Sequence, residues 1–360
     1  MKRIFLIFSL VIALGCLFAQ GAELKYTEAT DLTIVGKLMP NTPNPYHRVD
    51  TVAFKGFTKT ENFEVRMSAG IAVAFSTNSS RVVVRAEFGQ TSVPDNTTAF
   101  SGRGFDLYCR NSSKDPWLWA GAGVIGKKGE VELVSNLSST SKEFLLYLPL
   151  FSEVRSVKVG VDAGSDLKAI ANPYRHRIAI FGSSFTHGTS TGRAGMPYPA
   201  QLARRTGLQL LSLGCSGRSR LQPYFADVLA AAPNIDAFIF DSFSNPTADE
   251  IKSRLFPFIE KIQAAHPGVP MIFQRTIRRE HRNFDQAYEK REANRIAVAD
   301  SMMQIAMKRY KNVYYIYPNA TSTNHEASID GTHPSDYGYS LWAESILEPV
   351  STILKKYGIE

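Results

Sequence analysis

After residue 173, predicted strands and helices follow one another in strict turn, and this is the feature of the sequence that most limits the fold. The apolar runs have the length of buried parallel strands, and the segments between them have a helical period. The predicted strands are 178–181, 208–213, 237–240, 271–273 and 313–316, and the predicted helices are 200–205, 224–232, 249–266, 284–310 and one starting at 335. Such alternation produces a parallel sheet with helices on both faces. We therefore expect a three-layer α/β/α domain over residues 173–360.

The sequence before residue 170 has a different character. Short strand-like runs alternate with turn residues, and no long helical period occurs. The runs are 63–67, 71–75, 82–88, 131–134, 144–148 and 157–161. Strands at this spacing predict a β-sandwich of jelly-roll-like form, which we place at residues 22–172. The segment Asn172-Pro173-Tyr174 is the expected junction between the two halves.

The first residues have the pattern of an export signal. Met1-Lys2-Arg3 is basic and the run 4–15 is apolar, as in a secretory signal peptide. This run is too short to be a convincing membrane span. We assign residues 1–21 to a signal peptide, with a lipid anchor at Cys16 as the alternative to cleavage. The mature chain is accordingly expected to be periplasmic, secreted or associated with the outer surface.

Composition and motifs exclude several classes of function. The formal net charge of +8 is scattered and forms no basic stripe with interleaved aromatics, so nucleic acid is not an expected partner. No HExxH, Walker or dinucleotide-binding pattern occurs. We therefore expect the protein to use neither a metal nor a cofactor. Beyond residue 21 only Cys109 and Cys215 remain, too few for a disulfide framework. Asn-x-Ser/Thr sequons, which matter only in a glycosylating cell, begin at Asn78, Asn96, Asn111, Asn136 and Asn319.

Two segments carry residues suited to nucleophilic catalysis. The predicted strand 178–181 runs directly into Gly182-Ser183-Ser184, and a strand, a tight glycine turn and a helix together form a nucleophile elbow. A serine nucleophile needs a base, and the base needs a group that orients it. Asp330 and His333 lie in one short loop before the last predicted helix, close enough for the carboxylate to hold the imidazole.

These segments resemble those of the SGNH or GDSL hydrolases, which are esterases and acylhydrolases. The resemblance covers roughly residues 174 to 357. It implies that Ser184 is the nucleophile, Asp330 the orienting acid and His333 the base. It also implies an oxyanion hole made by the backbone of Ser184, by Gly214 after the second strand and by Asn245 after the third. The ends of parallel strands share one edge of a sheet, so these residues are expected to converge.

The resemblance has one departure and one extension. Ser183 stands where the family usually has an aspartate, which puts the geometry of the turn in question more than the activity. In the first half, residues 104–108 read Gly-Phe-Asp-Leu-Tyr and resemble the GxDLY motif of an accessory domain that often precedes SGNH domains in bacteria. Asp106 in this motif is expected to be a structural residue. Carbohydrate esterases of family two share the same order of a jelly roll and an SGNH domain.

Other polar and aromatic residues have two interpretations each. His187 could contact a substrate hydroxyl at the rim of a pocket, or cap a helix. Arg278 and Arg279 belong to a basic run that could bind an anionic substrate such as a uronic acid chain, although a solvated loop is the commoner role of such runs. Trp117 and Trp119 could stack on sugars, but packing in the core or between domains is the preferred interpretation.

The expected function is that of an exported, cofactor-free serine esterase that hydrolyses a carboxylic ester through an acyl-enzyme. The favoured reaction is removal of an acetyl group from a carbohydrate, with a small-molecule or glycan ester as the partner. An acylhydrolase for lipid or aryl esters is a second possibility. A glycan-binding protein with a relict esterase site is the non-enzymatic alternative.

Overall fold

A computed structural model describes residues 23–360; the predicted signal peptide and Cys16 lie outside the described residues. Residues 24–169 contain two antiparallel sheets, and their strands are β1 (Leu24–Glu28), β2 (Thr33–Val35), β3 (Ala72–Thr77), β4 (Val82–Thr91), β5 (Gly104–Arg110), β6 (Leu118–Val124), β7 (Glu130–Val134), β8 (Lys142–Tyr147), β9 (Ser152–Asp162) and β10 (Leu167–Ala169). One sheet has the order β1-β9-β4-β7 and the other β10-β3-β8-β5-β6, with β2 also pairing with β3. The two sheets pack face to face around a common apolar cluster that includes Phe75, Val84, Phe144 and Val159.

This half also contains helix α1 (Lys59–Arg66) and the short helix α2 (Ala99–Gly102). The prediction of a strand over residues 63–67 is therefore wrong. Thr58 and Glu61 form a capping box: the Thr58 hydroxyl accepts the Glu61 N–H at 3.3 Å, and Glu61 Oε2 accepts the Thr58 N–H at 2.8 Å. This reciprocal pair starts a helix, and the apolar residues that looked like a strand lie on its buried side.

The second half is a parallel sheet with helices on both faces, as the alternating pattern predicts. Its strands are β11 (Arg175–Gly182), β12 (Leu208–Gly214), β13 (Ala237–Asp241), β14 (Met271–Gln274) and β15 (Val313–Ile316), in the order β12-β11-β13-β14-β15. Its helices are α3 (Ser184–His187), α4 (Tyr198–Thr206), α5 (Pro223–Ala230), α6 (Ala248–Ala265), α7 (Gln286–Arg309) and α8 (Asp336–Lys355). Helices α4 and α8 cover one face, and α5, α6 and α7 cover the other. The predicted fold class is confirmed.

The two halves share one hydrophobic core. The cluster under α4 and α8 continues into the sandwich, where it includes Tyr108, Tyr147, Leu150 and Phe151. A fully buried Trp342 on α8 stacks on Tyr198 at a centroid distance of 4.3 Å. Because buried side chains of both halves pack in this one cluster, the hydrophobic effect stabilises the two halves against each other. No helix of the described residues is both long enough and apolar enough to cross a membrane.

Candidate active site

The end of β11 turns sharply into α3 and presents Ser184. Strand β11 ends at Gly182, Ser183 is the N-cap of α3, and Ser184 is its first residue. An added Cβ at Gly182 would lie 2.0 Å from the Thr186 hydroxyl oxygen, so only glycine fits the turn. Helix α3 ends after one turn at Gly188, whose φ of 101° is in the left-handed region. The predicted strand-turn-helix arrangement is present at this place.

Ser184, His333 and Asp330 form a hydrogen-bonded chain. His333 Nε2 lies 2.9 Å from Ser184 Oγ, and His333 Nδ1 lies 2.8 Å from Asp330 Oδ2. Asp330 Oδ1 accepts the backbone N–H groups of Thr332 at 2.9 Å and of His333 at 2.6 Å. Because the carboxylate only accepts hydrogen bonds, it holds the proton on Nδ1 and leaves Nε2 free to accept from the serine hydroxyl.

A residue from the sandwich, Asn96, also binds the Asp330 carboxylate. Its Nδ2 lies 2.7 Å from Asp330 Oδ2. Although burial raises the pKa of Asp330, hydrogen bonds from the His333 side chain and backbone and from Asn96 outweigh this effect and lower that pKa below its usual value. Asp330 therefore stays ionised at neutral pH. Sequence reasoning missed Asn96: the sequon it belongs to carries no information about this contact.

Asp241 at the end of β13 compensates for the departure at Ser183. The Ser183 hydroxyl donates to Asp241 Oδ2 at 2.8 Å, and the Ser183 N–H approaches the same oxygen at 3.2 Å. The Thr186 hydroxyl donates to that oxygen as well, at 3.1 Å. Burial raises the pKa of Asp241 to about 6, although the hydrogen bonds from these residues oppose it. A buried carboxylate on the neighbouring strand thus fixes the turn that carries Ser184.

Besides Ser184, the predicted oxyanion residues Gly214 and Asn245 lie at the ends of β12 and β13, the two strands that flank β11. Asn245 follows β13, and its Oδ1 is buried without a hydrogen-bond partner in the described residues. An oxyanion would need the Nδ2 donor of the same amide, so the part of Asn245 in an oxyanion hole stays a prediction. Gly214 is the last residue of β12, and an added Cβ there would lie 2.2 Å from His187 N. Its carbonyl accepts from Arg48 Nη1 at 2.8 Å. Close packing against α3 therefore explains this glycine, and its part in an oxyanion hole stays a prediction.

His187 does not lie at the rim of a pocket, and the expectation of a substrate contact is wrong. It is fully buried, and its Nε2 donates to the Leu150 carbonyl at 2.7 Å. Its ring stacks on Phe151 at a centroid distance of 4.3 Å. Burial, together with the nearby charge of Arg48, lowers the pKa of His187 to about 3, so the ring is neutral. His187 joins α3 to the sandwich.

The two candidate arginines differ in their surroundings. Arg279 is buried: its Nη2 donates to the Ser244 carbonyl at 2.8 Å, and its Nη1 lies 3.3 Å from Glu292 Oε1. It supports the residue before Asn245 and is not available to an anionic substrate, which corrects that expectation. Arg278 is exposed and donates to Asn283 Oδ1 at 2.9 Å. A substrate role for Arg278 stays a prediction.

The motif aspartate of the sandwich joins the two halves. Asp106 is fully buried and accepts from Arg193 Nη1 at 2.8 Å, from the Gly195 N–H at 2.9 Å and from Trp119 Nε1 at 3.0 Å. Arg193 also lies over the Trp119 ring, 4.8 Å from its centroid. The structural interpretation of Asp106 is confirmed, whereas Trp119 is 56% exposed and its packing interpretation stays a prediction. Trp117 packs under Arg110 at 4.2 Å.

The described part of the chain contains no group of three or more His, Cys, Asp or Glu side chains arranged to hold a metal ion. The groups that the structure brings together at this site are the hydroxyl of Ser184, the imidazole of His333 and the carboxylate of Asp330. A hydroxyl that donates to an imidazole, which in turn is held by an ionised carboxylate, is the arrangement of an activated nucleophile.

Comparison with known families gives matches to both halves of the chain. The profile of the GDSL-like Lipase/Acylhydrolase family matches residues 175–351. The profile described as the N-terminus of Esterase_SGNH_hydro-type matches residues 24–167. No match is found among curated proteins.

Solved structures with the same architecture span almost the whole chain. A GDSL-like lipase from Bacteroides ovatus ATCC 8483 is 33% identical over 92% of this chain and 98% of its own, with a TM-score of 0.88. A salicylyl-acyltransferase from a tetracycline biosynthetic pathway is 19% identical over 92% and 97%, with a TM-score of 0.71. A family two carbohydrate esterase from Cellvibrio japonicus is 12% identical over 93% and 99%, with a TM-score of 0.59. At these identities the last two similarities show the fold alone.

Proposed function

Because the chain belongs to the GDSL-like lipase/acylhydrolase family, we propose that it is a serine esterase that hydrolyses a carboxylic ester through an acyl-enzyme. The observation that carries this proposal is the hydrogen-bonded chain from Ser184 through His333 to Asp330. Its order and its spacing are those required of a nucleophile, a base and an orienting acid.

The proposed reaction has two halves that use the same groups. Ser184 Oγ attacks the ester carbonyl while His333 Nε2 takes the hydroxyl proton, and the ionised Asp330 stabilises the imidazolium that forms. The tetrahedral intermediate collapses, the alcohol leaves with the proton from His333, and the acyl group stays on Ser184. Water then attacks the acyl-enzyme, again giving its proton to His333, and the acid is released as the serine regains its proton.

The oxyanion of the tetrahedral intermediate needs donors that are fixed before the reaction begins. We assign this role to the Ser184 N–H at the first turn of α3, to the Gly214 N–H and to the Asn245 side-chain amide. The position of Asn245 after β13, the strand beside β11, supports its part. A donor of this kind is worth about a hundredfold or more in kcat. Gly214 cannot be tested by adding a side chain, because its Cβ would strike the backbone of α3.

The substrate class is a finer proposal than the reaction. We propose removal of acetyl, or another small acyl group, from a carbohydrate. Support comes from the fold that the chain shares with a family two carbohydrate esterase. We also propose that the protein is exported, because residues 1–21 have the pattern of a signal peptide. A lipid or aryl ester remains the alternative substrate, to be decided by acyl-chain preference.

The first experiment compares hydrolysis of p-nitrophenyl acetate, butyrate and octanoate by the mature protein and by Ser184→Ala. We expect acetate to be cleaved best, and the Ser184→Ala variant to lose about a thousandfold or more in kcat, because no other hydroxyl replaces the nucleophile. Asn245→Ala should lose about a hundredfold in kcat. A preference for octanoate would instead favour a lipid ester as the natural substrate.

Ser253→Ala, on the exposed side of α6, is a matched control that removes a serine hydroxyl away from the site. It should keep full activity and should still react with a fluorophosphonate probe, whereas Ser184→Ala should not. Equal activity of the wild type and Ser184→Ala would contradict the proposed function.

A further inference from the structure

We propose that Asn96 of the sandwich is a positioning residue for the Asp330–His333 pair. This inference rests on the proposed function, since it concerns how that pair is held during ester hydrolysis. Asn96 lies in the loop between β4 and α2, and its Nδ2 is 2.7 Å from Asp330 Oδ2. The same oxygen accepts from His333 Nδ1 at 2.8 Å. The sandwich thus supplies a donor to the very atom that orients the base.

Chemistry fixes which end of the Asn96 amide faces the carboxylate. An ionised carboxylate only accepts hydrogen bonds, so the NH₂ group must point to Asp330. The other end agrees, because Asn96 Oδ1 accepts from the Thr97 hydroxyl at 3.3 Å. Asn96 Nδ2 also lies 3.3 Å from His333 Nδ1, but both nitrogens carry hydrogen here. That distance is therefore the spacing of two donors that meet at one acceptor oxygen.

The segment that carries Asn96 is tied to the loop after α3. The Thr97 hydroxyl oxygen accepts the Ser190 N–H at 2.9 Å, and the Thr98 hydroxyl donates to the Gly192 carbonyl at 2.7 Å. These contacts hold the backbone from which the Asn96 side chain extends. A fixed donor is what an orienting function requires, since an ordered group keeps its direction through the reaction.

Asn96 completes the set of donors around the carboxylate. Asp330 Oδ1 is held by two backbone N–H groups, and Oδ2 by His333 and Asn96. Without Asn96, His333 is the one donor to Oδ2 among the described residues, and it is the group that Oδ2 is meant to orient. Asn96 stands behind the carboxylate and acts through it, so its effect should be on the step in which imidazolium forms.

The first test replaces Asn96→Ala and measures kcat and KM with the preferred p-nitrophenyl ester. We expect kcat to fall about tenfold to a hundredfold with KM nearly unchanged, the effect of losing one hydrogen bond to a charged group in the transition state. The matched control is Asn78→Ala, which removes another sandwich asparagine that accepts a backbone N–H, from Asp166 at 2.8 Å. It should leave both constants unchanged.

The second test is Asn96→Asp, which keeps the shape but replaces the donor by a carboxyl group. Ionised, that group repels Asp330 at hydrogen-bond distance; protonated, it can donate to Asp330 in place of the amide. The ratio of variant to wild-type kcat should therefore rise as pH is lowered from about 8 to about 5. A purely structural role for Asn96 predicts a ratio that does not depend on pH.

A third measurement needs no substrate. The proton between His333 Nδ1 and Asp330 is observable by NMR as a strongly downfield resonance. We expect it to shift in Asn96→Ala and to stay in place in Asn78→Ala. An unmoved resonance, or wild-type kcat in both Asn96 variants, overturns this inference and leaves the esterase proposal standing. Equal turnover by the wild type and Ser184→Ala would instead remove the esterase proposal itself.

Discussion

At the scale of single residues, the turn that carries the proposed nucleophile, Ser184, depends on a carboxylate that belongs to another strand. Ser183 stands where the family usually has an aspartate, and Asp241 on β13 accepts from its hydroxyl and its N–H. The carboxylate that accepts hydrogen bonds from this turn therefore lies on a neighbouring strand and not in the turn itself. Since Asp241 is fully buried, its protonation should affect the stability of the fold.

We predict that the free energy of unfolding depends on pH through the protonation of Asp241. Its pKa is raised to about 6 in the folded protein, against about 4 in the unfolded chain. Between about pH 4 and about pH 6, the Asp241 carboxyl is protonated in the folded state but ionised in the unfolded chain. The free energy of unfolding should therefore fall as pH rises through this range, by about 3 kcal/mol in total. In Asp241→Asn this part of the pH dependence should vanish, as measured by urea denaturation between pH 4 and 7.

The exposed Asp249 on α6 provides the control, because Asp249→Asn should keep the pH dependence of the wild type. If the difference in unfolding free energy between Asp241→Asn and the wild type is the same at every pH, Asp241 does not titrate in this way.

Sequence reasoning could predict Ser184, Asp330 and His333 but not Asn96. The first three belong to local patterns: a strand that runs into a glycine turn, and an acid and a histidine three residues apart. The Asn96 contact joins residues 234 positions apart. It depends on how the sandwich packs on the α/β half, which no local pattern encodes. The same reason explains why His187 was misplaced, since its burial is caused by the sandwich.

At the scale of secondary-structure elements, those that can be predicted from the sequence are the ones with a clear local hydrophobic pattern. The five parallel strands are buried on both faces and read as continuous apolar runs. Residues 63–67 form a short mixed run that predicts a strand, although all but the last of them lie in helix α1. The feature that identifies this segment as a helix lies before residue 63, in the capping box formed by Thr58 and Glu61.

We predict that the capping box at the start of α1 contributes to the free energy of unfolding. Thr58→Ala should lower the free energy of unfolding by about 1 kcal/mol, because the N–H of Glu61 loses its acceptor. Thr58→Ser keeps the hydroxyl and should be close to wild type. Guanidinium denaturation of the three proteins measures this, and equal losses in both variants would show that the methyl group matters instead of the cap.

At the scale of the whole molecule, the sandwich forms part of the active-site support. It binds Asp330 through Asn96, α3 through the Leu150 carbonyl, and the end of β12 through Arg48. Asp106 fastens the loop that follows α3. With these contacts and a common core, the halves should unfold together in one cooperative transition.

The ion pair between Asp106 and Arg193 tests this coupling. Arg193→Ala leaves a fully buried carboxylate without its charge partner, and we expect a loss of about 2–4 kcal/mol, reduced somewhat because Arg193 is partly exposed. Calorimetry should still show one transition, at lower temperature. Arg85→Ala, which removes an exposed pair with Glu130, should change the melting temperature little. Two separate transitions in the wild type would show that the halves are independent.

The place of Asn96 has a practical consequence for producing the protein. Asn96-Thr97-Thr98 is a sequon, and a glycosylating expression host could attach a glycan to the amide nitrogen that faces Asp330. The sugar would occupy the space between the sandwich and the catalytic loop. Removing it with an amidase would not restore the native residue, because such enzymes leave an aspartate behind. A bacterial host is therefore the appropriate source for kinetic work on this chain.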